Sequence, residues 1–453
     1  MMSAVIFLIV CLILLDAGWN AARILLPRES LLLRLALSFP LAALLNTVII
    51  FVLTVLQIPL AWWSILPGLV IFIAASHIVS SRVARGGDAS VSRGDHLTIS
   101  PLWKNVLTAT CLLLLVNIFL FITVHSVLFP SLTVDSYTNW TMRAQVSFTD
   151  RSMAFDQTEV RGVAKPQYPF LVHGLQITAN QGQRIWNDRI ANTITLLLSL
   201  SSFAAAYLLV RKLRGPFTAL LAVTAIASMP LMSIQLAQGY GDVHLIGYLM
   251  LGFLTLVAWK ETADQRWLWL SALMTAAAMW TKLEGLWFAF VPWALLVFLL
   301  APKRTHALLP IITPLLLFIP FSLLMLTIGL PISHSEIDAA FAWQGALIPF
   351  LQALFTFGSF GIAWYVLPVA AALIVLNKNT SWESRAYVLW GALVVAELAV
   401  IYLFTPNARF LINSEAFFRQ ALAPAAVLIL ACAMHRRHPQ EIDNQSEERK
   451  MRY

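Results

Sequence analysis

Charge is scarce in this chain. Asp, Glu, Lys and Arg make up 11% of its 453 residues, against about 25% in a soluble domain, which excludes an ordinary water-soluble enzyme. It also excludes a disordered chain, whose solubility rests on charge. Cysteine is nearly missing: Cys11, Cys111 and Cys432 are the whole inventory. That is far below a secreted disulfide scaffold, and all three lie inside apolar runs, so they read as core residues. No basic segment precedes the first apolar run, residues 2–15, and no small-residue cleavage site follows it. It reads as a retained span rather than a signal peptide. No fixed-period repeat is visible.

What remains is apolar. Hydrophobic residues are 59% of the chain, in continuous runs rather than the alternation of a membrane strand barrel. A helical span takes roughly 20 apolar residues. The fold class expected is therefore an all-α, polytopic transmembrane bundle of about thirteen spans, near 2–21, 36–57, 61–80, 105–128, 191–210, 217–236, 242–259, 266–281, 285–301, 307–329, 355–376, 387–404 and 417–434. The spans 266–281 and 285–301 are close enough to require a tight helical hairpin, and 341–376 is expected to open with a surface helix.

Position gives the charges meaning. On alternate sides of these spans, 21 of the 30 Lys and Arg residues fall on one side, and 9 on the other. Short cytoplasmic loops carry the basic excess, so the rich side reads as cytoplasmic, with the N-terminus outside and the C-terminal tail inside. The net charge of +8 is thus a topology signal, and no nucleic-acid partner is implied. The organisation expected is three N-terminal spans (1–82), a cytoplasmic linker (83–104), a catalytic membrane module (105–300) with an external loop at 129–190, further spans (301–434) and a cytoplasmic tail (435–453). The external loop is long, aromatic and acidic, the profile of a functional loop. Its stretches 137–148 and 169–179 read as short amphipathic helices at the membrane surface.

Ionisable groups at membrane depth are costly and face cavities or partners. Several gather on the outer side: Asp135 after the fourth span, Asp242 heading the seventh, Lys282 and Glu284 in the hairpin, Arg409 and Arg419 around the last external loop. Carboxylates there can accept a proton or hold a divalent cation, and cations can neutralise phosphate. Plainer uses stand beside these: Asp135 and Asp242 as helix caps, Lys282 and Glu284 as a solvated turn, and Asn139-Trp140-Thr141 as a formal glycosylation sequon. Glu397, mid-span, reads as a bond to a neighbouring helix.

The order of the motifs carries a resemblance. Asp135-Ser-Tyr-Thr-Asn-Trp140-Thr-Met-Arg143 is followed by Lys165-Pro-Gln-Tyr168-Pro169, Asn187-Asp188-Arg189, Gly239-Tyr240-Gly241-Asp242, Thr281-Lys282-Leu-Glu284 and, late in the chain, Arg419-Gln-Ala-Leu-Ala-Pro424. The series resembles the GT-C superfamily of integral-membrane glycosyltransferases, in the bacterial branch similar to protein O-mannosyltransferases and lipid A aminoarabinose transferases. It covers about residues 105–300, and 405–424 more loosely. Two departures are visible. Ala164 stands where the aminoarabinose branch tends to have an acid, and three spans, not one, precede the helix leading to Asp135.

The resemblance implies an enzyme of a bacterial inner membrane that moves a sugar from a polyprenyl-phosphate donor to an acceptor glycan, lipid or protein on the extracytoplasmic face. Asp135 would be the catalytic base. Lys282, Arg419 and Lys165 would contact the donor phosphate, and Tyr168, Trp140, Arg143 and Glu284 the substrates. Asp242 with His244 would hold a divalent metal cation (Mg, Mn or Zn). Two other classes fit a polytopic chain with charged outer loops: a transporter or flippase of a lipid-linked or polar substrate, and an oligosaccharide ligase or polymerase.

Overall fold

The computed structural model describes residues 2–82, 100–156, 159–301, 305–330, 343–413 and 415–436. Most of the expected linker and nearly all of the expected tail lie outside the described residues. The described chain is helical, without a strand. Nine of its helices are long and apolar enough to cross a membrane, or ten if the bent pair Pro216–Ala227 and Pro230–Ala237 counts as one span. It is an integral membrane protein by this measure.

The thirteen expected spans each coincide with helix, but not all with one long helix. The run expected at 217–236 bends by 74°, because Met229 precedes Pro230 and is pushed to an extended conformation. The run expected at 355–376 is interrupted where Ser359 and Gly361 take positive φ, leaving a helix of only 14 residues, Ala363–Leu376. The expected tight hairpin forms between Gln265–Thr281 and Leu286–Leu300. There Lys282 is extended, and a Cβ on Gly285 would lie 2.2 Å from the Ala278 carbonyl oxygen. Only glycine allows so sharp a return.

Gly241–Thr262 is the axis of the bundle, its spanning stretch wholly buried. Against it packs Asp188–Arg214, a helix whose limits follow from its sequence. Asn187 caps its start, Asp188 lies in its first turn, and Arg211, Lys212 and Arg214 lie in its last, each charge matching the helix dipole. Gly215 (φ 92°) and Pro216 end it.

The N-terminal helices are not all an attachment. Leu31–Val55 packs against Asp188–Arg214 and Leu171–Asn180. Its Pro40 has no N–H to give the Ala36 carbonyl, and Ser201 Oγ donates to that oxygen at 2.6 Å instead. Tyr248 OH donates to the Pro40 carbonyl at 2.9 Å. Such repairs are required where no water reaches the backbone. Trp62–Arg82, by contrast, is peripheral.

One expectation for the external loop fails. Leu171–Asn180 does not lie on a membrane surface, since every one of its residues is buried. Thr178 Oγ1 donates to Asn46 Oδ1 at 2.8 Å, and Gly174 lets Ile50 approach closely. Thr178, Asn180 and His173 bond within the protein, while the buried Gln176 amide has no hydrogen-bond partner, so the amphipathic pattern reports a polar interior and not an interface with lipid.

Candidate active site

Five of the expected residues meet at one end of the bundle. Asp135 lies in the short helical turn Val134–Ser136, after Pro101–Leu128. Asp242 opens Gly241–Thr262, Lys282 and Glu284 form the hairpin tip, and Arg419 lies early in Glu415–Ala433. Lys282 Nζ sits 2.8 Å from Asp242 Oδ1 and 3.0 Å from Glu284 Oε1. Arg419 pairs through Nη1 with Asp135 Oδ2, and its Nε is 3.8 Å from Asp242 Oδ2. The cap and solvated-turn readings do not hold, because Thr133 and Tyr240 occupy the cap positions and Lys282 and Glu284 are buried.

Local sequence explains the convergence. The 237–240 turn is stitched to the chain before Asp135: Ser136 Oγ donates to the Gln238 carbonyl, Leu132 N–H to Gln238 Oε1 at 2.9 Å, and Ser126 Oγ to the Ala237 carbonyl at 3.3 Å. Gly239 supplies the positive φ of the turn. Gly241 is a glycine for space, since a Cβ there would lie 2.2 Å from the Trp140 ring. Trp140 is thereby free to stack on Tyr168 (4.9 Å, 14°) and His173 (5.3 Å, 23°). Tyr168 in turn lies under Lys282 Nζ at 5.8 Å, and Tyr240 under the Arg419 guanidinium at 4.9 Å. Both cations have an aromatic face as well as carboxylates.

Three residues complete the cluster that the motifs did not mark as members. Asn139 Nδ2 donates to Asp135 Oδ1, Gln420 Nε2 to Glu284 Oε1 at 2.8 Å, and Tyr402 OH to Gln420 Oε1 at 3.0 Å. Asn139 was open to inference, lying four residues after Asp135 on the same helical face. Nothing in the sequence pairs Tyr402 with Gln420.

Other expected residues fall elsewhere or do something else. Arg143 is fully buried behind the Trp140–Tyr168 stack. It donates to the carbonyls of Tyr168 and, at 3.1 Å, Ala154, and lies over Phe155 and Phe170. These bonds hold the loop, and Arg143 Nη2 is buried without a hydrogen-bond partner. Burial lowers its pKa to about 9. Lys165 is half-buried in a turn placed by the Ala164 N–H bond to the Thr138 carbonyl (3.4 Å), and has no ion-pair partner among the described residues. Arg409 stacks on Phe410 (4.7 Å), outside the cluster. Glu397 Oε2 is buried without a hydrogen-bond partner, so the expected bond to a neighbouring helix is not made by that oxygen.

Charge decides what the cluster can hold. Three carboxylates face two cations. Burial alone would lower the Lys282 pKa, but Asp242 and then Glu284 outweigh it and hold the ammonium well above the ordinary lysine range. His173 has both ring nitrogens on backbone carbonyls, Pro169 at 3.1 Å and Asn139 at 3.0 Å. Burial, followed by the field of Arg143, nevertheless depresses it to about 3. The metal role expected of Asp242 with His244 does not fit this geometry. Both Asp242 oxygens face cations, His244 Nδ1 is bonded to Ser199 Oγ at 3.3 Å, and no three His, Cys, Asp or Glu groups gather as a ligand set among the described residues.

Accessibility separates the acids. The Asp135 side chain is 37% exposed, against 4% for Asp242 and 11% for Glu284. Only Asp135 can meet a solvent-borne group without rearrangement. Its two oxygens each hold one donor, leaving lone pairs for another. Comparison with known proteins assigns no family: no family model matches the chain, and no curated protein or solved structure matches it.

Proposed function

We propose that the protein is a glycosyltransferase of the GT-C type, acting at the extracytoplasmic face of a bacterial inner membrane on a polyprenyl-phosphate sugar. The observation that carries the reading is the joining of Asp135 to Arg419 across 284 residues, with Asp242, Lys282 and Glu284 in the same buried cluster. An accessible carboxylate beside a fixed ionic lattice suits proton abstraction from a hydroxyl next to a charged leaving group.

In this mechanism the acceptor oxygen attacks the sugar's anomeric carbon as Asp135 takes the hydroxyl proton. The bond to the phosphate oxygen breaks, and polyprenyl phosphate leaves with the electron pair. Lys282 and Arg419 already carry carboxylates, so their part is to hold Asp242, Glu284 and Asp135 in register. Lys165, half-buried in the turn whose Ala164 N–H bonds the Thr138 carbonyl, is assigned to neutralise the departing phosphate. No step is routed through a metal.

The test is turnover of radiolabelled polyprenyl-phosphate sugars by purified protein in nanodiscs. Asp135→Asn keeps the shape of the side chain and removes its basicity, so turnover falls by about 10²–10⁴-fold, with the fold retained at a lower Tm because Arg419 keeps only Asp242. Near-normal turnover removes Asp135 from the mechanism. The 74° break at 227–230 and the half-buried Glu397 within a span favour a second reading, a transporter or flippase. Flux of a labelled lipid-linked sugar across proteoliposomes without sugar transfer would select it.

A further inference from the structure

A second site lies at the same end of the bundle, away from the ionic cluster. The connection between Leu31–Val55 and Trp62–Arg82, the end of Met142–Asp150 and the stretch 181–186 enclose a cleft of about 440 Å³, within the roughly 300–1,000 Å³ of small-ligand sites. Its frame is built. Leu60 N–H donates to the Arg151 carbonyl at 2.6 Å, and Gln181 Nε2 to the Leu60 carbonyl at 3.4 Å. Trp186 is fixed by its indole N–H on Asp188 Oδ1 at 2.6 Å and by an edge contact with Phe148 at 5.8 Å.

The lining has a specific chemistry. Trp62 and Trp63 are 62% and 48% exposed and line the cleft. With Trp186 they give the cleft flat π-faces, whose negative quadrupole suits the C–H face of a sugar ring. Gln145 adds an amide able both to donate and to accept from hydroxyls. Arg151 and Arg184 also line the cleft, with no ion-pair partner among the described residues, and no Asp or Glu lines it. Guanidinium groups without a carboxylate are complementary to an anionic ligand and bind carboxylate or phosphate with two parallel bonds.

We propose that this cleft binds an acidic saccharide: aromatic faces take the rings, Gln145 the hydroxyls, and Arg151 and Arg184 a uronate or phosphate substituent. The site stands whether or not the ionic cluster transfers sugars. Tryptophans that open a helix also anchor proteins at membrane interfaces, but anchoring alone would need neither the concave frame nor Gln145 and Trp186 within it.

The full chain in zwitterionic nanodiscs is titrated calorimetrically with hexagalacturonate and pentamannose phosphate, and with maltohexaose as the neutral chain. Both anionic probes are expected to bind at least about tenfold tighter than maltohexaose, a difference of about 1.4 kcal/mol. Trp62→Ala and Arg184→Gln, both at exposed positions, should each weaken them by about tenfold or more. The proposal is overturned if the anionic probes do not bind, if maltohexaose binds equally well, or if both variants bind like the parent. It is also overturned if anionic phospholipid in the nanodisc abolishes binding, which would make the cleft a headgroup anchor.

Discussion

Two ionic clusters sit at opposite ends of the Gly241–Thr262 helix, and they are built to different ends. At its C-terminal end Glu261 receives Arg214 Nη1 and Arg436 Nη2, each at 2.7 Å, and Arg214 also donates to the Met434 carbonyl at 2.8 Å. One acid there clamps two basic residues at the ends of the Asp188–Arg214 and Glu415–Ala433 helices. At the N-terminal end three acids share two cations, aromatic faces cover those cations, and one acid stays open to solvent. The first cluster carries one cation in excess, and its acid is sealed, with the Glu261 side chain 8% exposed. The second carries one acid in excess, and its exposed member is a carboxylate, Asp135, the kind of group that can take a proton.

That contrast can be broken by substitution, starting where the effect is largest. Lys282→Met leaves Asp242 and Glu284 facing each other in a buried site; breaking such a pair costs about 3–5 kcal/mol, seen as a large drop in Tm together with loss of turnover. The double variant Glu284→Gln/Lys282→Met removes the stranded charge, since Asp242 keeps Arg419 while Glu284 has no other ion-pair partner among the described residues. It should recover most of the Tm but none of the turnover, and recovery of both would reduce the cluster to a clamp. Glu261→Gln should cost about 3 kcal/mol yet leave turnover per folded molecule within about twofold, measured after thermal calibration. A parallel loss of activity would erase the distinction between the two ends.

Gly241→Ala tests the link between aromatic packing and chemistry. The added methyl overlaps Trp140, an overpacking of about 1–3 kcal/mol, and should lower turnover more than Tm by tilting the Tyr168 face beneath Lys282. The last effect is one of pH and concerns stability alone. His173 is held neutral, its pKa moved from 6.5 to about 3. Its contribution to stability is complete above about 6.5 and drains away as pH falls from there through about 3. The slope is at most about 1.4 kcal/mol per pH unit. His173→Gln should flatten the denaturation midpoint between pH 6 and 4, and an unchanged slope would show that other groups govern it.

How much of this was legible in the sequence depends on the range of the interaction. Helices were legible because an apolar run in lipid has one low-energy conformation. Their interruptions at Met229–Pro230 and Ser359–Gly361 were not, because the hydropathy of the run barely changes there. The convergence of Asp135, Asp242, Lys282, Glu284 and Arg419 was legible from alternation of sides. Partner choice was not: that Asp242 faces Lys282 and Arg419 rather than a metal depends on side-chain distances no spacing encodes. Arg143 misled because its place beside Trp140 in a motif looks functional, whereas its guanidinium turns inward to carbonyls. Leu171–Asn180 misled because periodic polarity describes a helix in a polar protein interior as well as one on a bilayer.

The pairing of Asp135 with Arg419 also bears on biosynthesis. The carboxylate leaves the ribosome long before its guanidinium partner, which is separated from it by 284 positions. Until that late helix inserts, the acid waits without its counter-ion and the hairpin tip without Gln420. In a nascent chain the five-residue cluster is therefore complete only once Arg419 has been made and its helix has packed against Asp135.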